Sequence, residues 1–156
     1  HVKQTEILPG VINFADGIKS ILRQDPDVIL IGEIRDEESA KMAIRASMTG
    51  HLVFTTIHAN DSFGAIFRLK EFNILNSLIA ENLVAIISQR LVKKANGAGR
   101  IVVSEILKID SSITNLIMNN ADKLTMKNQA LSSGFKSIYD DYLEKLKKNV
   151  ISEATL

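Results

Sequence analysis

The stretch Val28-Ile29-Leu30-Ile31-Gly32-Glu33, followed by a second run of the same kind at Leu52-Val53-Phe54-Thr55-Thr56-Ile57-His58, decides the fold. Four consecutive apolar residues, mostly β-branched and bounded by Asp27 and Gly32, are too few for a helix. They read as a strand buried on both faces. Between the two runs, Asp36 is a good helix N-cap, Glu37 and Glu38 complement the positive end of a helix dipole, and Ala40, Ala43, Ile44 and Met48 form an apolar stripe. Gly50 stops that helix, and 52–57 is the second strand. Strand, helix and strand within about 30 residues make a βαβ unit, whose two strands run parallel.

Upstream of this unit, Asn13 caps a helix carrying Phe14, Ile18, Ile21 and Leu22, and Pro26 forbids its continuation. Downstream, Asn60 or Asp61 begins a helix that runs to Phe72. A longer helix over 76–92 is expected to be apolar on much of its circumference, with Lys93 and Lys94 suiting its C-terminal end. The Gly97-Ala98-Gly99 turn leads into a strand over 100–108, after which helices are expected near 112–119, 123–132 and 135–148, with a frayed end over 149–156. The fold class is therefore α/β, with parallel strands and crossover helices over 1–109 and a helical annex over 110–156.

A chain of 156 residues, 46% of them hydrophobic, can bury a core of its own. A formal net charge of +1 gives no reason to expect nucleic-acid binding. Without cysteine there are no disulfides and no thiolate zinc clusters, and a reducing, cytoplasmic setting is the expectation. No apolar run reaches the roughly 18 residues that span a bilayer, so a membrane role would be peripheral.

Parallel α/β sheets bind ligands beyond the carboxyl ends of their strands, where helix N-termini and loops converge. That edge receives Glu33 from the first strand, and Thr55, Thr56 and His58 from the second. Nucleoside triphosphatases place a carboxylate just after a buried strand, near magnesium or the attacking water, and Glu33 suits either task. The bare pattern fits equally a carboxylate solvated in a loop, and His58 a histidine bonded within one. Arg35 and Asp36 are placed to pair beside the site, although capping also accounts for Asp36. His51 falls at the opposite edge, and Gln89 and Arg90 are candidates for a nucleotide or subunit contact. The three histidines show no metal-ligand spacing, and none of the eight glycines begins a G-x-x-x-x-G-K-[ST] phosphate loop.

The segment Leu22-Arg23-Gln24-Asp25-Pro26-Asp27-Val28-Ile29-Leu30-Ile31-Gly32-Glu33-Ile34-Arg35-Asp36 closely resembles the Walker B region of type II secretion, type IV pilus and competence ATPases. Thr49-Gly50-His51-Leu52-Val53-Phe54-Thr55-Thr56-Ile57-His58-Ala59-Asn60-Asp61 resembles their His box. Weaker similarity continues through Gln89-Arg90-Leu91 and Gly99-Arg100-Ile101-Val102-Val103-Ser104-Glu105. The resemblance implies part of a RecA-like motor core, using ATP and magnesium and working as a homo-hexamer at the cytoplasmic face of the inner membrane, against a membrane platform and cytoplasmic assembly proteins. It implies that Glu33 organises magnesium through water, that His58 approaches the terminal phosphate and that Thr55 and Thr56 line the nucleotide site. The family's phosphate loop and its water-activating acidic box are expected upstream of His1, so the chain alone is expected to be inactive. The alternative is a non-catalytic oligomerisation or partner-binding module that keeps the motor fold. The short Ala95-Asn96-Gly97-Ala98-Gly99 turn stands where several relatives carry a four-cysteine loop, so zinc is not expected. Ser112-Ile113-Thr114-Asn115-Leu116-Ile117 has threonine where retraction motors have arginine, which speaks against a retraction role, and Asn60-Asp61-Ser62-Phe63-Gly64-Ala65 resembles the secretion and pilus-assembly branch.

Overall fold

The computed structural model describes residues 14–153, so the expected opening strand and the Asn13 cap lie outside the described residues. Helix α1 (Phe14–Leu22) precedes β1 (Val28–Ile34), α2 (Glu37–Met48) and β2 (Leu52–Ile57). The two strands pair in parallel, Val28 with Leu52 through Ile31 with Thr55, and α2 crosses back over them. Asp36 starts α2 through a reciprocal capping box: its carboxylate accepts from Ser39 N at 2.8 Å, and Ser39 Oγ accepts from Asp36 N at 3.2 Å. Ile29 and Ile31 point into the core beside Ala40, Ala43 and Ala46, whose small side chains let helix and sheet approach closely.

The expectation that β1 is buried on both faces fails. Val28, Leu30, Leu52 and Phe54 form one face of the sheet and are 49–76% exposed, because among the described residues no second layer covers them. The expected helix over 76–92 is also corrected. Helix α3 (Ser62–Glu71) is followed by α4 (Asn76–Asn82), which stops at Leu83, and β3 (Ala85–Lys93) replaces the rest. Its Ile86 and Ile87 are β-branched and lose rotamer freedom in a helix. The backbone hydrogen bonds that a helix would have supplied come instead from antiparallel pairing with β4 (Arg100–Lys108), in register from Ala85 with Lys108 to Lys93 with Arg100. Lys93 and Lys94 accordingly end a strand and cap no helix.

Helices α5 (Ser111–Met118) and α6 (Lys123–Ser132) contribute Ile113, Ile117, Met126 and Ala130 to the same core as β1 and α2, and α5 packs on α4. Helix α7 (Ile138–Lys147) returns to β4 and closes a smaller cluster of Val92, Val103, Tyr142 and Ile151. The frayed end is corrected in part: Ile151 is buried, bridges to Lys94, and Ala95 N donates to Val150 O at 3.0 Å.

Candidate functional site

Because β1 and β2 are adjacent and parallel, their carboxyl ends open on one edge, with Glu33 the penultimate residue of β1 and His58 the first beyond β2. The pairing slips between Ile31 and Ile34, a bulge of the kind that re-aims a side chain where a strand ends. Across this irregularity Thr56 Oγ1 donates to Gly32 O at 2.6 Å and ties the two strand ends together. Thr55 Oγ1 turns to the carbonyl of Thr56 at 3.3 Å.

Both carboxylate oxygens of Glu33 are engaged. His58 Nε2 lies 3.0 Å from Oε1, and Arg35 Nε donates to Oε2 at 2.6 Å. The carboxylate is sheltered at 21% exposure, while His58 and Arg35 are 95% and 77% exposed. An acid fixed by its strand is thus held by two donors that can swing away into solvent. Arg35 pairs with Glu33, whereas Asp36 is committed to its helix cap, where hydrogen bonds from Ser39 N and Oγ hold its carboxyl below the usual aspartate range.

The turn from His58 into α3 is held at several points. Asp61 caps the helix by accepting from Gly64 N at 2.7 Å and pairs with Lys123 at 2.7 Å. Burial pushes the Asp61 carboxyl up, but Lys123 and the Gly64 amide outweigh it and leave it lowered. Arg90, on β3, directs Nη2 at Asn60 O at 3.5 Å. An open concavity of about 560 Å³ beside this turn is lined by His58, Asn60, Gly64, Phe67, Arg68 and Lys123, among others.

Glu33, Arg35, Thr55, Thr56 and His58 therefore share one edge, and Arg90 reaches its flank. Gln89 sits on the other face of β3, in register with Ser104. His51 lies at the far end of β2, bonded through Nδ1 to Thr49 Oγ1 at 2.9 Å and Ala46 O at 3.2 Å. Two charged residues escaped the sequence reading. Lys123 carries no local signal, since its partner Asp61 is remote in sequence. Glu105 did carry one: strand alternation places it between Val103 and Leu107 on the inward face.

The architecture is that of part of a RecA-like α/β motor core, and solved structures share it. The pilus retraction motor PilT with bound ADP matches with a TM-score of 0.78 at 36% identity, over 90% of this chain and 41% of that one. The Legionella pneumophila ATPase DotB matches with a TM-score of 0.77 at 29% identity, over 90% of this chain and 40% of that one. The chain belongs to the Type II/IV secretion system protein family, whose model matches residues 1–155. It is similar to Type II secretion system ATPase E of Vibrio cholerae, 33% identical over 97% of this chain, and to the Twitching motility protein of Neisseria gonorrhoeae, 40% identical over 85% of it. It spans 38% and 37% of the length of those two relatives.

Proposed function

We propose that the chain is the Walker B and His-box portion of a motor ATPase that powers secretion or pilus assembly, with Glu33 and His58 as its catalytic side chains. The observation that carries this reading is the 3.0 Å pairing of Glu33 with His58 at the carboxyl edge of two adjacent parallel strands, where α/β sheets take their ligands. Relatives named as ATPases, and a motor solved with ADP, support a nucleotide as that ligand.

The donor set fits magnesium in a limited way. Among the described residues no three His, Cys, Asp or Glu gather to hold a metal unaided, and Glu33 is a single hard carboxylate. That suits an ion that keeps several waters and takes its other ligands from phosphates. When bound, magnesium neutralises charge on the phosphates. Glu33 would hold that ion through its waters, and Arg35 keeps the carboxylate in place. His58 turns from one anionic partner, Glu33, to another, the terminal phosphate, and donates where negative charge grows. The clasp between Thr56 and Gly32 holds the two strand ends in register while this exchange occurs.

In the intact motor, residues 110–156 act as the helical annex, six copies form the ring, and the ring works at the cytoplasmic face of the inner membrane against the platform and assembly proteins. The chain alone neither binds ATP tightly nor hydrolyses it, because none of its glycines begins a phosphate loop to cradle the β- and γ-phosphates. The test is Glu33→Gln in the intact motor. Phosphate release should fall by about 100-fold while ATP binding changes by no more than a few-fold. Hydrolysis close to wild type would exclude Glu33 from the site.

A further inference from the structure

Glu105 is an acidic residue in the middle of β4, 5% exposed, on the face that the hairpin turns inward. Among the described residues no lysine or arginine pairs with it. Its partners are donors at the starts of two helices. Oε1 accepts from Ser62 N at 2.8 Å and from Ser62 Oγ at 2.7 Å, and Oε2 accepts from Ile138 N at 3.0 Å. Ser62 is the first residue of α3 and Ile138 the first of α7, so each amide is one that its own helix leaves without a partner. A single buried carboxylate thereby completes two helix N-termini, with the sign that both dipoles favour.

The location of Ser62 gives this contact a reach beyond packing. The four residues from His58 to Asp61 join β2 to α3, and the His58 side chain is 95% exposed and paired with Glu33. The imidazole has no packing to hold it, so its position follows the backbone of this turn. The strand end fixes the turn on one side, Arg90 and Lys123 hold Asn60 and Asp61 within it, and Ser62 fixes it on the other side. We propose that Glu105 is a positioning residue for the reaction, anchoring the turn that carries His58 and linking it, through the second carboxylate oxygen, to the start of α7. This role rests on the assignment of His58 above. A shift of α7 against β4 would be felt at His58 through one side chain.

Two variants test the linkage. Glu105→Gln keeps the shape but offers one acceptor oxygen where the carboxylate offers two. Ile138→Pro removes the α7 donor, at a first helical position where proline is well tolerated, and Ile138→Ala is its control for the side chain lost against Val92, Val103 and Tyr142. In the intact motor, Glu105→Gln should lower kcat by about tenfold and leave KM for ATP within about twofold, as expected for a misplaced group that acts in the transition state. Combined with His58→Ala it should be no slower than His58→Ala alone, within about twofold. Losses that multiply, or an unchanged kcat in folded Glu105→Gln, would overturn the proposal.

An independent readout comes from the chain itself, in which the ring nitrogen signals of His58 should move in both variants, as should the amide signals of Ser62 and Ile138. Unmoved His58 signals in either folded variant would also overturn it. Should His58→Ala leave turnover intact, the catalytic assignment of His58 fails, and the ring signals still decide whether Glu105 positions it. If Glu105→Gln does not fold, Ile138→Pro carries the same kinetic and spectral measurements.

Discussion

The histidines that flank β2 have the same side chain and opposite situations. His58 is almost wholly exposed and leans on Glu33, whereas His51 is half-buried and bonded to the end of α2. Removing them should therefore have separable effects. His58→Ala is expected to slow kcat of the intact motor by about 10–100-fold with little change in ATP affinity, since a phosphate donor matters most as charge develops. His51→Ala should cost about 1 kcal/mol of stability, the net value of a hydrogen bond, with turnover otherwise normal. A kinetic loss in His51→Ala at unchanged melting temperature would reverse the ranking. Three aspartates make a second residue-scale prediction. The carboxyls of Asp36, Asp61 and Asp141 all lie below their ordinary value when folded: Ser39 holds Asp36 there, while for Asp61 and Asp141 burial pushes upward and is outweighed by Lys123 with the Gly64 amide and by Lys145 with the Ser104 amide. A folded value below the unfolded one, about 3.9, means that the stability they add is complete above that pH and is lost as pH falls through the folded values. Denaturant titrations between about pH 6 and pH 3 should show this loss, and Asp36→Asn should flatten the acid limb.

At the level of elements, the β3–β4 hairpin is where local propensity and final structure part. Its turn depends on backbone conformations that few residues adopt: Gly97 and Gly99 have φ of +74° and +79°, with Gly97 N donating to Lys94 O at 3.0 Å and Lys94 N to Gly99 O at 3.2 Å. A methyl group at Gly99 would meet nothing within 4 Å, so the cost of Gly99→Ala is backbone strain alone, about 1–2 kcal/mol. It should lower the melting temperature by a few degrees and leave the His58 edge undisturbed, which thermal denaturation and amide spectra would show together. The α4–β3 junction is built differently. Asn82 donates to Leu78 O at 2.9 Å and accepts from Ser47 Oγ at 3.1 Å, fastening the last turn of α4 to α2 just before the chain extends.

The whole molecule has two apolar faces without a cover among the described residues. One is Val28, Leu30, Leu52 and Phe54 on β1–β2, the other Ile87, Leu91, Val102 and Ile106 on β3–β4. Among the described residues each sheet has two strands, so unpaired edges accompany the exposed faces there. The purified chain is expected to self-associate as concentration rises. Leu30→Lys with Phe54→Lys, a directly paired set on one face, should shift it toward monomer while changing stability by no more than about 0.5 kcal/mol, as for other surface substitutions. Sedimentation velocity beside a melting curve checks both parts. Association unchanged by the pair would move the sticky surface to the hairpin face.

The sequence by itself determined the βαβ unit, the Asp36 cap, and the edge at which Glu33 and His58 stand, because these depend on short-range pattern. A four-residue apolar run, a capping residue and parallel connectivity are each readable within about 30 residues. Only the tertiary structure decided that 85–93 is a strand, since an apolar run rich in isoleucine suits helix and strand alike until a partner such as β4 takes up its backbone hydrogen bonds. It also decided that Arg35 pairs with Glu33 and not with Asp36, that Lys123 meets Asp61, and that Glu105 spans the starts of α3 and α7. Except for Arg35, those partners are far apart in sequence, and a carboxylate's choice among distant donors depends on where the packed elements bring them.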